Sequence, residues 1–313
     1  MGISLLVVII AAVFMSWVIG ASTIAATFGP VACGRMSGVL RSALLAGIFG
    51  LIGAVVQGES VAKTVGIDLL SGFEITPLLG TVILITAGTL LLLGVLTGYP
   101  IPVAFTVVGG VLGAGWGVGA AWNIPKVQII VSTWVITPFA VVTLSYVLAR
   151  ILRHIISDEN SGRLPELFLF ILGAFFAYSA GANKVGQSMG LLLSSIHTPT
   201  IILLLLGGVS MLLGTWFGGP RIIDSVSKNY SEMGVRRSIS ALAAAGVIAQ
   251  LVTVLGIPIC FNYVIIFCMI GSGLVEGTSR IQPTRIVKTI ITWTASFFVS
   301  MGICLTLTVL FFS

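Results

Sequence analysis

Charge is scarce in this sequence. Only 8% of its 313 residues are Asp, Glu, Lys or Arg, where a soluble domain carries about 25%. A globule of this length cannot cover its surface with so few charges, which excludes a soluble enzyme and a disordered regulator. The net charge of +6 does not indicate nucleic-acid binding, because no soluble face exists to carry it. Histidine occurs twice, as His154 and His197, both in loops without metal-ligand spacing. The four cysteines, Cys33, Cys260, Cys268 and Cys304, lie in apolar stretches without a C-x-x-C pair, so a disulfide scaffold and a zinc site are excluded and packing is expected. Short alternating segments of the β-barrel kind are also missing. The first apolar segment lacks a basic leader and is too long for a cleaved signal, so it reads as a retained span.

Long apolar runs dominate instead: 57% of the residues are hydrophobic and the mean hydropathy is +1.18. Runs long enough to cross about 30 Å of hydrocarbon lie at 3–34, 38–57, 76–96, 98–120 and 127–150, then at 164–195, 200–217, 238–255, 257–275 and 289–312. The most polar linker, RILRHIISDENSGRLPE, divides the chain almost in half. With that linker in the cytoplasm and every run crossing once, twelve of the fifteen basic residues fall inside. Lys63 and Lys126 fall outside, and Lys184 lies within a run. The positive-inside rule thus predicts ten crossings, both termini outside and a multi-pass plasma-membrane protein. The runs 98–120 and 257–275 are open to a second reading, as segments that re-enter without crossing.

The halves repeat each other. At an offset of 161, Gly20-Ala21-Ser22-Thr23 falls on Gly181-Ala182-Asn183-Lys184. At 158, Gly98-Tyr99-Pro100 falls on Gly256-Ile257-Pro258, and at 159, Thr133-Trp134 falls on Thr292-Trp293. Five crossings per half is an odd number, so the copies run in opposite directions. The fold expected is an all-α polytopic membrane protein of two inverted-topology repeats of five crossings, with a broken helix opening each. Residues 1–150 form the first repeat, 151–166 the cytoplasmic linker and 167–313 the second. Loop 58–75 is net acidic and its counterpart 218–237 net basic, as opposite orientation requires. Inverted repeats are a mark of secondary transporters, whose substrate site lies near the midplane between them.

Two polar stretches interrupt the apolar pattern, GASTIAATFG at 20–29 and GANKVGQSMG at 181–190. Polar backbone at membrane depth is tolerated where it is buried in protein or lines a cavity. If Gly20 and Gly181 let each helix stop and restart, the restarted halves aim free N–H groups and positive dipole ends into the break, which suits an anion. Ser22, Thr23, Thr27, Asn183, Lys184, Gln187 and Ser188 supply further donors, and none is a carboxylate. A donor set of this kind favours sulfate, which is fully ionised, over hydrogen phosphate, which carries a proton and wants an acceptor. Lys184 is the most expensive of them, since an ammonium at the bilayer centre costs about 2.5–3.5 kcal/mol. The alternatives are a lysine that snorkels to an interface and, for the other residues, ordinary interhelical hydrogen bonds. The Gly-x-Pro segments are either tight turns or helix starts beside the cavity that bring Thr106 and Asn262 to the substrate. No buried nucleophile–base pair or acidic cluster is available for an intramembrane enzyme, and no cofactor is expected.

The two polar stretches resemble the duplicated signature of the inorganic phosphate transporter family, Gly-Ala/Ser-Asn-Asp-Val-Ala-Asn followed by glycine, and the first is closest to the bacterial sulfate permease branch. The resemblance covers nearly the whole chain. It implies uptake of a tetrahedral inorganic anion, sulfate or a phosphate-like ion, by cation symport with H+ or Na+, in a homodimer. This sequence departs from the pattern at Ser22 and Thr23, which replace Asn-Asp, at Lys184, which replaces aspartate, and at Gln187, which replaces asparagine. The departures suggest that the Lys184 ammonium takes the place of a bound sodium ion.

Overall fold

The computed structural model describes residues 2–33, 38–97, 101–155, 163–196, 198–224, 234–277 and 283–312. Arg35, the Gly98-Tyr99-Pro100 triplet, linker residues 156–162, His197, Lys228 and Arg280 lie outside the described residues. The ten apolar runs become ten principal helices: α1 (Gly2–Ile19), α2 (Val39–Gln57), α3 (Pro77–Thr97), α4 (Val103–Gly117), α5 (Ile124–Leu152), α6 (Arg163–Met189), α7 (Thr200–Gly218), α8 (Val235–Val254), α9 (Phe261–Gly273) and α10 (Pro283–Phe312). Eight are long and apolar enough to span a membrane. The exceptions are α4 and α9, whose 15 and 13 residues rise only about 20 Å at 1.5 Å per residue.

The runs 98–120 and 257–275, for which crossing and re-entry were both open, become short helices that return the chain to the end it came from. The segment after α4 pairs with the loop before α3: Ser71 N donates to Ala121 O at 2.8 Å and Asn123 N to Leu69 O at 3.0 Å. Lys126 meets Asp68 there at 3.0 Å. In the second half, Gly273 at the end of α9 lies against the Arg237 guanidinium at the start of α8. Ahead of α9, the non-helical residues 257–260 add length, since a residue in extended chain rises about 3.3 Å.

The predicted break at 181–190 is corrected, while the one at 20–29 takes the form of a π-helical turn and a helix end at Phe28. α6 runs through Asn183, Lys184 and Gln187 without interruption and ends in a 3-10 turn at Gly190–Leu192. α1 continues as a π-helical turn over Gly20–Ile24 and a short α-helical turn, Ala25–Thr27. Its change of direction comes at Phe28, followed by Gly29–Cys33. The glycines allow close approach instead of a stop. A Cβ on Gly20 would overlap the Met211 carbonyl of α7, and one on Gly181 would overlap the Gly50 carbonyl of α2. The same reciprocity appears in the outer helices, where Gly113 of α4 abuts the Met301 carbonyl of α10 and Gly271 of α9 abuts the Val142 carbonyl of α5. The helices therefore pack crosswise, α1 on α7, α6 on α2, α4 on α10 and α9 on α5.

Candidate functional site

The interruption that sequence placed in α6 lies in the segment packed against it. α8 ends where Gly256 takes φ +70°, a conformation glycine adopts without a Cβ penalty. Ile257 N bonds back to Val252 O at 3.1 Å and Gly256 N to Thr253 O at 2.9 Å, closing the helix end. Pro258 prevents its resumption, and the chain runs extended until α9 starts after Cys260.

Extended backbone inside a membrane protein must find partners for its polar groups, and side chains of α6 and α5 provide them. Asn183 Nδ2 donates to Ile257 O at 2.9 Å and to Thr253 Oγ1 at 3.1 Å. Asn183 Oδ1 accepts from Ile259 N at 3.1 Å and from Gln187 Nε2 at 2.7 Å. Trp134 Nε1 donates to Pro258 O at 2.7 Å. Lys184 Nζ donates to Ile259 O and stands 5.5 Å from the centre of the Phe261 ring. Lys184 has no exposed surface, which removes the snorkelling reading. No carboxylate pairs with it among the described residues. One carbonyl occupies one of its three N–H donors, so two remain for another acceptor.

Gln187 is also wholly buried. Its amide nitrogen is committed to Asn183, which leaves Oε1 without a hydrogen-bond partner. The candidate site thus contains an acceptor in need of a donor as well as donors, which corrects the expectation of a donor-only pocket.

The remaining sequence candidates divide. Ser188 Oγ meets Ser16 Oγ of α1 at 2.7 Å, joining α1 to α6 close to the cluster. Thr23 is buried, and its hydroxyl lies 3.5 Å from that of Ser22. Ser22 donates to Val18 O at 2.9 Å, Thr27 to Ile24 O at 2.7 Å and Thr106 to Val103 O at 2.9 Å, so these hydroxyls are spent on their own helices. Asn262 is half-buried and outside the Asn183 network. The helices that carry the two polar stretches run antiparallel to each other. Ser16 pairs with Ser188 while Thr27 lies beside Gly173, so the stretches run apart from a level near Gly20 and Gly181. In the second half the interruption is braced by the long side chains of Asn183 and Lys184, whose counterparts at an offset of 161 are the shorter Ser22 and Thr23.

Sequence reasoning missed Ser16, Thr253 and the indole of Trp134. Thr253 was legible as a polar residue one turn before the Gly256 stop. It also missed a chain of side chains across three helices: Ser179 Oγ donates to Gln250 Oε1 at 2.6 Å, and Gln250 Nε2 donates to Gln57 Oε1 at 2.7 Å.

Comparison with known proteins gives concordant matches. The model of the phosphate transporter family matches residues 19–168 and 157–304. The sulfate permease CysP of Bacillus subtilis is 27% identical over 98% of this chain and 88% of its own length. A Methanocaldococcus jannaschii relative that carries a phosphate permease name is 23% identical over 93% of this chain and 92% of its own. A solved structure titled as the sodium-dependent phosphate transporter superposes with a TM-score of 0.84 at 19% identity, covering 97% of this chain and 98% of that one.

Proposed function

The chain belongs to the phosphate transporter family, and from that premise we propose that it is a secondary transporter for a tetrahedral inorganic oxyanion, sulfate before phosphate. It is an inorganic-anion permease of the membrane and not an enzyme. The observation that carries the substrate reading is Lys184, a fully buried ammonium with donors to spare and no acidic partner among the described residues. A charge so placed is stabilised when an anion arrives, and the positive dipole end of α9 starts beside the same residues. Sulfate accepts hydrogen bonds and donates none, which matches the ammonium; the Bacillus subtilis sulfate permease is consistent with this choice.

The second reading is phosphate, and the buried Gln187 Oε1 favours it. Hydrogen phosphate brings the proton that this oxygen lacks. Uptake of labelled sulfate into proteoliposomes, with competition by unlabelled sulfate, phosphate, thiosulfate and molybdate, separates the two. Sulfate competing best supports the first reading; phosphate competing best replaces it with the second.

Lys184 also bears on coupling. Its Nζ sits on a backbone carbonyl and beside an aromatic face, two groups that attract cations. The tethered ammonium then fills a cation position, and uptake is coupled to protons or to no cation at all. Imposed sodium and pH gradients test this, and a strict sodium requirement defeats it.

Ser188, Thr23 and the Asn183–Gln187 pair complete the proposed binding region around the level of Gly20 and Gly181. Two inverted repeats, 1–150 and 167–313, would rock about this centre, with the linker 151–166 cytoplasmic, both termini outside, and assembly as a homodimer in the plasma membrane. The crosswise glycine contacts support the repeats: Gly20 and Gly181 differ by 161 positions, and so do their partners Gly50 and Met211.

A further inference from the structure

A groove of about 760 Å³ lies between α5 and α10, away from the polar cluster. Phe105, Trp134, Val135, Tyr263, Ile290 and Trp293 are among the residues of its wall. The two helices beside it have the least surface inside the protein of all the spans. Its lips are apolar and open: Val135 is 60% exposed, Phe139 70% and Ile290 44%. Val131 to Thr143 belong to the middle of the 29-residue α5, so the groove opens at hydrocarbon depth. Water gains nothing from a site with so few polar partners. A helix from a second copy, about 10 Å wide, could lie across the lips but could not enter a groove of this size. A single hydrocarbon chain is thin enough.

We propose that this groove is a binding site for the acyl chain of a membrane lipid. The position of Trp134 gives such a chain a role. Its indole forms the groove wall, stacks on Phe105 at 4.1 Å and holds Pro258 O through Nε1 at 2.7 Å. Pro258 stands in the extended segment whose next residue bonds Asn183 and Lys184. A lipid chain packed on the outer face of the indole keeps that hydrogen bond aligned, so the lipid supports the interruption from the side opposite α6.

Bromine on mid-chain carbons quenches tryptophan fluorescence on contact, and the reading does not depend on transport. In a variant that keeps Trp134 alone (Trp17→Phe, Trp116→Phe, Trp122→Phe, Trp216→Phe and Trp293→Phe), bilayers of brominated phosphatidylcholine should remove most of the emission seen in unbrominated bilayers. Trp134 is only 8% exposed, and the share of the loss that groove filling reverses is the share due to a chain inside the groove. Adding Val135→Phe and Ile290→Phe, which fill the groove, should restore the emission. Unquenched Trp134 in the unfilled protein overturns the proposal, whether the groove stands empty or a second copy covers it. A readout that leaves the tryptophans intact is mass spectrometry of protein released from bilayers. It should retain one phospholipid per chain, lost in the groove-filled variant; equal retention by both proteins also overturns the proposal.

Discussion

Asn183 accepts the backbone N–H of Ile259 at 3.1 Å, and that bond sets the direction of every amide near it. A backbone N–H only donates, so the atom facing it must be Oδ1. Asn183 Nδ2 is then turned to Ile257 O and Thr253, and Gln187 must present its nitrogen to Asn183. Gln187 Oε1 is left pointing elsewhere without a partner. A short extended segment in α9's approach thereby decides what hydrogen-bonding character the neighbouring space has.

Removing the two members of this cluster should give different phenotypes. Asn183→Ala strips Ile257 O and Ile259 N of their partners, and each buried group left unpaired costs about 1–3 kcal/mol. Thermal unfolding of the detergent-solubilised variant should show a clear drop. Lys184→Ala removes a charge-assisted interaction of about 1.5–3 kcal/mol, so proteoliposome uptake should fall roughly tenfold to a hundredfold while the protein still elutes as a folded species. Uptake at the unaltered rate would assign Lys184 to bracing Ile259 alone.

Gln187→Met keeps length and removes the lone acceptor. If hydrogen phosphate uses Oε1, this variant loses phosphate uptake and retains sulfate uptake. Equal loss of both substrates would place Gln187 in support of Asn183 only. The measurement is the ratio of initial rates for the two labelled anions.

Gly181→Ala and Gly20→Ala each drive a methyl group into a backbone carbonyl of the facing helix. Backbone yields less readily than a side chain, and overpacking costs about 1–3 kcal/mol. Both variants should unfold at lower temperature than Gly302→Ala, where a Cβ meets nothing within 4 Å.

Orientation is open to labelling. Ser60→Cys and Arg153→Cys replace exposed residues at opposite ends of the spans. A membrane-impermeant maleimide added to intact cells should modify the first and spare the second. The reverse pattern would invert the proposed topology.

The spans were legible because nothing but lipid-facing or buried helices explains such long apolar runs. The proposed repeat rests on glycine and proline recurring at nearly constant spacing. Lys184 was legible for its cost. The position of the interruption was not. Glycine beside Asn and Lys reads equally as a break or as a packing face, and only the Gly50 carbonyl against Gly181 decides between them. The Gly256-Ile257-Pro258 segment carried the stronger stop signal, a glycine at positive φ ahead of a proline, but two readings of it were open. The partners of that segment come from α5 and α6, far away in sequence, and no local pattern announces them.

The crosswise glycine seams have a consequence for ancestry. Residues 1–150 alone would present Gly20 and Gly113 to empty space, since Met211 and Met301 lie in the other half. Were the two halves copies of one ancestor, a half-length forebear would have needed a sibling inserted upside down to close the same seams.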